Sequence, residues 1–463
     1  MRNQQIIVDL QLLKKYDRPG PRYTSYPTAP YFHDGIGPVQ YQHHIETDEA
    51  ATHNPDLSLY VHLPFCDTLC YFCGCNMMVT HSRDKVEQYL DYLEKEMQLL
   101  SASIQPGRKV MQLHWGGGTP THLTPDQIRR LGAMLHHYFP FHTDAEIGVE
   151  IDPRELTREH VVALHEVGFN RCSMGVQDFE PTVQKAINRI QPEAVTRQVV
   201  DWARELGLSS INLDIMYGLP HQTRSTFADT LDKILSLDPD RLAVFNYAHL
   251  PRMFKHQGLI QDEWLPAPEE KLELLKLSIE TLTAAGYVYI GMDHFAKPEN
   301  ELAQAMEEGT LYRNFQGYST HSGLNLIALG MSSISMLSSL YVQNHKTLPD
   351  YYQALDAGKL PTMRGVELTA DDRLRREVIV ELMCNFVLKK GRIEEKYAIT
   401  FDEYFADALH KLEPFVEDDL VALAPDKITV TTAGRLLIRN IVMNFDKYLQ
   451  EKADNKPQFS RTV

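Results

Sequence analysis

The chain has no run of about 18 uninterrupted apolar residues, the length a membrane span needs, so none is expected. A secretory signal is missing too. The opening residues, MRNQQIIVDLQLLKKYDRPG, set Asp9 and the Lys14–Lys15 pair inside what would be the apolar core, with no small-residue cleavage site beyond. A cytoplasmic location is therefore expected. Positive charge is in short supply: 46 Lys and Arg against 62 Asp and Glu leave a net charge of −16. Nucleic acid is not an expected partner, because phosphate binding needs a basic stripe. Cysteine is scarce, six in 463 residues. Cytosolic thiols stay reduced, so clustered cysteines point to metal binding or catalysis rather than disulfides. No Ser/His/Asp array or metal-hydrolase motif is present.

What is present suits a globular protein with a sizeable core, 43% hydrophobic and 23% charged, in one large domain or two to three ordinary ones. From about residue 57 to 300, strand-like runs alternate with amphipathic helical patterns. The strands are expected at Leu57–Leu63, Val110–Trp115, Glu146–Asp152, Asn170–Gln177, Ile211–Tyr217 and Leu242–Ala248, with an extra one at Tyr287–Met292. Helices are expected over Asp84–Ser101 and after the capping hydroxyls of Thr124 and Thr157. Repeated β-then-α units imply a parallel sheet sheathed in helices. Six units fall short of a closed eight-fold barrel, so the fold class is α/β, an open partial (β/α)6 barrel over residues 38–365. Residues 1–37 form an N-terminal arm rich in Tyr, Pro and Gly. Residues 366–463 read as a mostly helical, winged-helix-like domain with one hairpin (LVALAPDKITV) ahead of a helix containing GRLLIRNIVMNF. In so acidic a chain a lid or packing role is favoured over DNA binding.

Four of the six cysteines lie in CDTLCYFCGC, spaced Cys66-x3-Cys70-x2-Cys73 and followed by Cys75. Structural zinc usually takes two separated ligand pairs, and no second pair exists, since Cys172 and Cys384 are isolated in apolar surroundings. A ferredoxin would supply four thiolates. Three ligands on one tight loop after a strand point to a four-iron cluster with one iron open. This CxxxCxxC loop resembles that of the radical S-adenosylmethionine (SAM) superfamily. Further ligand residues are then expected at the carboxyl ends of the strands. There lie Gly116, Gly117 and Gly118 in HWGGGTPT, Glu150 and Asp152 in VEIDPRE, Gln177, Asp214, Asn246 and Ala248.

The likeness narrows further. GPRYTSYPT, SLYVHLPFCDTLCYFCGCN, HWGGGTPT, EIDPRE, SMGVQDF, NLDIMYGLP, FNYAHLP, GMDHFA, RNFQGY and GRLLIRN resemble, nearly end to end, the oxygen-independent coproporphyrinogen III oxidase family of haem biosynthesis. The resemblance implies a [4Fe–4S] cluster on Cys66, Cys70 and Cys73. It implies a first SAM contacted by Tyr60, Gly117, Glu150 and Ile334. A second SAM would meet Phe72, Gly118, Thr119, Gln177, Arg189, Asp214 and Ala248, two molecules per chain. Cys75 and His62 are the candidate catalytic residues; Cys75 is expected to face the site without ligating the cluster.

The chemistry implied is oxidative decarboxylation of the ring A and B propionates of coproporphyrinogen III, giving protoporphyrinogen IX. The C–H bond beside the ring is too weakly acidic for a general base, so a 5′-deoxyadenosyl radical from SAM removes the hydrogen. A low-potential donor of flavodoxin or ferredoxin type would supply electrons to an expected monomer. The substrate is a tetra-anion, and Arg22, Arg313 and His294 are candidates to meet its carboxylates. The rival readings are a haem-binding chaperone of the same branch and a winged-helix redox regulator. The chaperones lack the Tyr-rich arm and carry an aromatic at the Cys75 position.

Overall fold

The structure is a computed structural model that describes residues 6–49, 56–104, 106–451 and 459–462. Residues 1–5 of the expected arm, and 452–458 and 463 of the expected C-terminal domain, lie outside the described residues. No helix among those described is long and apolar enough to cross a membrane.

Alternation along the first strand, β1 (Leu57–Leu63), sets the pattern for the sheet. Leu57, Leu59, Val61 and Leu63 are buried in one core with Leu90 and Leu93 of helix α1 (Arg83–Ser103). Ser58, Tyr60 and His62 turn to the opposite, concave face. The strands that follow are β2 (Val110–Gly117), β3 (Phe141–Ile151), β4 (Arg171–Gln177), β5 (Ser210–Tyr217) and β6 (Arg241–Asn246). Then come β7 (Val288–Gly291), β8 (His294–Ala296), β9 (Asn325–Leu329), β10 (Ile334–Met336), β11 (Leu340–Asn344) and β12 (Thr362–Glu367). Together they form one sheet ordered β12-β11-β10-β9-β1-β2-β3-β4-β5-β6-β8-β7.

The expected α/β class and the six β-then-α units are present, and β1 to β6 are parallel throughout. The sheet goes further than the six units. A seventh parallel strand, β9, comes late in the chain and pairs outside β1. The extra strand expected at Tyr287–Met292 exists as β7, but it joins the sheet antiparallel through β8. The helix expected after Thr124 is α2 (Pro125–Tyr138), and the Thr124 hydroxyl and Gln127 side chain cap each other's backbone N–H groups. The helix after Thr157 is α3 (Arg158–Val167), closed by Gly168 at φ 105°.

Helix α4 (Ala370–Asn385) opens the C-terminal segment. Its small sheet contains the expected hairpin, β14 (Val421–Leu423) and β15 (Lys427–Val430), with β13 (Val387–Lys389) on the other side of β15. GRLLIRNIVMNF is not one helix. It divides into a 3-10 turn (Gly434–Leu437), a short α-helix (Ile438–Val442) and a second 3-10 turn (Met443–Phe445). The Asn444 side chain donates to the Asn440 and Ile441 carbonyls, acceptors that a continuing helix would have used.

One apolar cluster runs from the arm (Leu13, Tyr23, Tyr26) through the barrel to Phe405, Phe415 and Phe445. Arg439 fastens the two ends. Its buried guanidinium donates to the carbonyls of Gly20, Pro21, Arg461 and Thr462.

A second buried anchor is Glu96 on α1. Its carboxylate accepts from Gly330 N (2.7 Å), Tyr351 Oη (2.6 Å) and Asn344 Nδ2 (2.7 Å), pinning the turn between β9 and β10. Burial pushes its carboxyl up to about 7 against those three donors. A carboxyl raised on folding contributes stability that is complete below its ordinary value of 4.5 and lost as pH climbs through about 7. Between pH 5 and 8 the wild type should therefore lose up to ~3 kcal/mol relative to Glu96→Gln, whose amide does not titrate. Urea midpoints at both pH values measure this, and parallel pH profiles for the two proteins would exclude it.

Candidate active site

The cysteine loop leaves β1 at Pro64 and is tied at its base by two short parallel strands, Phe65–Cys66 and Met78–Val79. Distant segments hold its carbonyls. Asn188 Nδ2 donates to Leu69 O (2.8 Å), His256 Nε2 to Cys73 O (2.7 Å) and Gln257 Nε2 to Phe72 O (2.9 Å). Tyr71 N donates to Ile187 O at 2.9 Å.

The triple glycine lies directly against this loop. A Cβ on Gly118 would come 2.8 Å from the Phe65 carbonyl oxygen. One on Gly117, where φ is +117°, would meet the His62 ring at 2.7 Å, and one on Gly116 would meet the Glu150 carboxylate at 3.0 Å. Only hydrogen fits at these points. With no side chains between them, Gly118 N reaches Leu63 O and Thr119 N reaches Phe65 O, both at 2.8 Å. Gly117 N donates to Glu150 Oε2 at 3.1 Å.

Polar groups around the turn have defined states. Burial would raise Glu150, but the His114 ring (3.5 Å) and the Gly117 N–H outweigh it and leave the carboxyl below its ordinary value. Burial lowers His62, which is neutral. Its Nε2 faces Asn76 O at 2.9 Å and must carry the proton, so Nδ1 accepts from the Tyr60 hydroxyl at 3.2 Å. Burial pushes Asp214 up to about 6, even though Ser173 Oγ (3.0 Å) and Asn212 Nδ2 (2.7 Å) donate to it.

The three sulfurs also have donors. Thr119 Oγ1 lies 3.4 Å from Cys66 Sγ, and Cys75 N lies 3.4 Å from Cys73 Sγ. Arg154 and Arg189 approach Cys70 Sγ at 3.5 and 3.6 Å while both pair with Asp152. The Cys75 hydrogen bonds pull Cys73 down to about 6, whereas burial pushes Cys66 up to about 12. Among the described residues, no three or more His, Cys, Asp or Glu side chains close around a single ion. The thiols instead share one wall of a cavity of about 230 Å³ and are all unpaired. This donor set suits a multi-iron cluster, with N–H and O–H groups already directed at its sulfur ligands.

The cavity gathers Cys66, Cys70, Cys73, Cys75, Phe72, Gly117, Gly118, Thr119, Glu150, Asp152, Gln177, Arg189 and Asp214. It does not gather the others. Tyr60 stacks on His114 (centroids 6.1 Å, planes 12° apart). Ile334 and Tyr60 pack against the apolar cluster of Phe32, Leu326 and Tyr341. His62 is buried behind Gly117, and Ala248 is half-buried just past β6. Asn246 at the end of β6 also lies outside the lining. Arg22 is paired with Asp293 at 2.8 Å. Sequence reading assigned no part to Arg154, Ser173 or Gly175, which also line the cavity. Their signal was available: Ser173 and Gly175 alternate on β4 toward the concave face, and Arg154 lies two residues beyond Asp152.

A parallel, open barrel whose first strand runs into a three-cysteine loop against a triple glycine defines a radical SAM enzyme. Residues 60–234 match the family model described as the Radical SAM superfamily, and residues 368–437 match the HemN C-terminal domain. The oxygen-independent coproporphyrinogen III oxidase of Escherichia coli is 50% identical over 99% of both chains, and that of Pseudomonas aeruginosa 48% identical over 98% of both. The solved structure of the Escherichia coli coproporphyrinogen III oxidase, described as a radical SAM enzyme, superimposes with a TM-score of 0.91 at 48% identity. It covers 96% of this chain and 100% of that one. The chain belongs to the family of oxygen-independent coproporphyrinogen III oxidases.

The close approach at the glycine turn can be tested. Gly117→Ala adds a Cβ against the His62 ring at a left-handed φ, and should lower the unfolding free energy by ~2 kcal/mol. Urea denaturation reads this, and an unchanged midpoint would contradict the packing described.

Proposed function

We propose that the chain catalyses oxygen-independent oxidative decarboxylation of the ring A and B propionates of coproporphyrinogen III to vinyl groups, giving protoporphyrinogen IX in porphyrin biosynthesis. The observation that carries this reading is the three-thiol loop opening on a glycine-walled cavity, in a chain alignable end to end with enzymes of that name. Cys66, Cys70 and Cys73 hold a [4Fe–4S] cluster in this reading. Gly117 and Glu150, with Tyr60 and Ile334 beyond the cavity wall, hold a first SAM. Phe72, Gly118, Thr119, Gln177, Arg189 and Asp214, with Ala248, hold a second. Bound there, the cluster and SAM would supply the one-electron, hydrogen-abstracting chemistry that the substrate's unactivated C–H bond requires.

The chain's own residues bind, orient and exclude water. Ionised Glu150 offers a fixed negative charge to a cationic amine or sulfonium beside the free edge of the glycine turn. His62 has both ring nitrogens engaged and is a positioning residue that joins Tyr60 to the end of the cysteine loop. Cys75 lines the cavity and hydrogen-bonds the Cys73 sulfur, a supporting place rather than a fourth ligand. Each propionate loses a hydrogen atom, carbon dioxide and one further electron, and keeping water from the cavity protects the radical stages. The protein acts as a cytoplasmic monomer with a flavodoxin- or ferredoxin-type donor.

Anaerobic reconstitution with iron and sulfide, then coproporphyrinogen III, SAM and a low-potential reductant, should yield protoporphyrinogen, carbon dioxide and methionine. Stable haem binding without decarboxylation would transfer the chain to the haem-chaperone reading. Cys70→Ala should lose the cluster absorbance and methionine formation. Cys75→Ser should retain a full complement of iron, and its loss would return Cys75 to the ligand set.

A further inference from the structure

Arg313 is a buried cation with no carboxylate partner among the described residues. It lies on a short strand, Tyr312–Asn314, paired antiparallel with Gly317–Ser319. Only 5% of its surface is exposed, its guanidinium lies 4.7 Å from the Tyr318 ring centroid, and Nε and Nη1 have no hydrogen-bond partner among the described residues. Burying a charge is costly unless it is paired. Its neighbours in the interior are compensated: Arg22 by Asp293, Arg171 by Glu146 and Glu301, Arg241 by Glu301. Arg439 has four backbone carbonyls. Among the described residues Arg313 has neither kind of partner; Arg435, half-buried over the Phe386 ring, also has an unpartnered Nε but is the more exposed.

A second orphan lies beside it. His294 Nδ1 is buried without a partner among the described residues. The ring packs edge-on against Tyr318 (5.2 Å, 82°) and Phe245 (6.1 Å, 90°), so Tyr318 joins His294 to Arg313. Strand register places this pair with respect to the cavity. Gly175 pairs with Asp214, Asp214 with Ala243, and Ala243 with His294. Directly paired residues share a face, and Gly175 and Asp214 wall the cavity. His294 thus faces the barrel interior from the same row. The hairpin bearing Arg313 crosses from there to the first strands, where Gln316 Nε2 donates to Leu59 O and Gln112 Nε2 to Ser319 Oγ, both at 3.3 Å.

We propose that Arg313, with His294 beside it, forms a carboxylate subsite inside the barrel that holds one propionate of the tetrapyrrole and so positions the macrocycle. The subsite rests on the decarboxylase reading and deepens it. One carboxylate answers one uncompensated guanidinium, and the planar fork of arginine fits two carboxylate oxygens at once. His294 is neutral, pushed down to about 3 by burial and the adjacent Arg313, and adds a hydrogen bond rather than a second charge. Arg22, an earlier candidate for the same task, is already paired with Asp293.

The test is equilibrium binding of coproporphyrin III, the oxidised macrocycle that cannot react, to the reconstituted protein, followed by fluorescence quenching. Arg313→Met, of similar length, should weaken binding by about ten- to a hundredfold. Arg313→Lys, which keeps the charge without the fork and guards against misfolding of the first variant, should fall between the two. Equal affinity of wild type and either variant, within twofold, would overturn the subsite and leave the decarboxylase reading standing. A wild type that binds no tetrapyrrole would overturn both.

Discussion

The site depends on how closely two strand ends approach each other. At Gly116, Gly117 and Gly118 the chain passes within contact of the Glu150 carboxylate, the His62 ring and the backbone of Pro64 and Phe65. Any side chain there would push β2 away from the cysteine loop. Removing all three Cβ atoms lets backbone hydrogen bonds lock the turn to the loop's first residues, and leaves the Gly117 N–H free to hold Glu150. The sulfur wall, the carboxylate and the glycine edge are consequences of that one contact.

Charge is handled by separation. The chain is strongly acidic overall, yet its interior contains several arginines. Most have carboxylates beside them: Arg154 and Arg189 share Asp152 next to Cys70, and Arg171 and Arg241 share Glu301, with Glu146 also on Arg171, at the opposite end of the strands. A buried cation without a carboxylate beside it stands out strongly in a low-dielectric interior. Arg313 is such a cation, on an element contributed by neither the cysteine loop nor the glycine turn.

Local features were readable because their causes are local. The apolar–polar alternation of LSLYVHL, the capping hydroxyl of Thr124 and the Cys66-Cys70-Cys73 spacing each act within a few residues. The strand β9 escaped notice because NLIAL is short, apolar after Asn325 and far from the repeated units, with nothing in its own composition to seat it beside β1. GRLLIRNIVMNF has helical periodicity, and its second break lies where Asn444 takes main-chain acceptors, which periodicity does not register. The same limit applied to Arg22 and Arg313. Both were basic residues near expected loops, and only their neighbours, Asp293 for one and the Tyr318 ring for the other, tell them apart.

By itself the sequence determined the parallel α/β class, the three-thiol loop, the glycine turn that opposes it and the family to which these belong, since spacing and residue type dictate each. Tertiary structure alone decided which distant groups hold the loop, Asn188, His256 and Gln257, and which interior cation is left without a counter-charge. Those relations come from sheet register and from contacts with segments more than a hundred residues away. No local pattern encodes them, because the free energy that selects them is non-local.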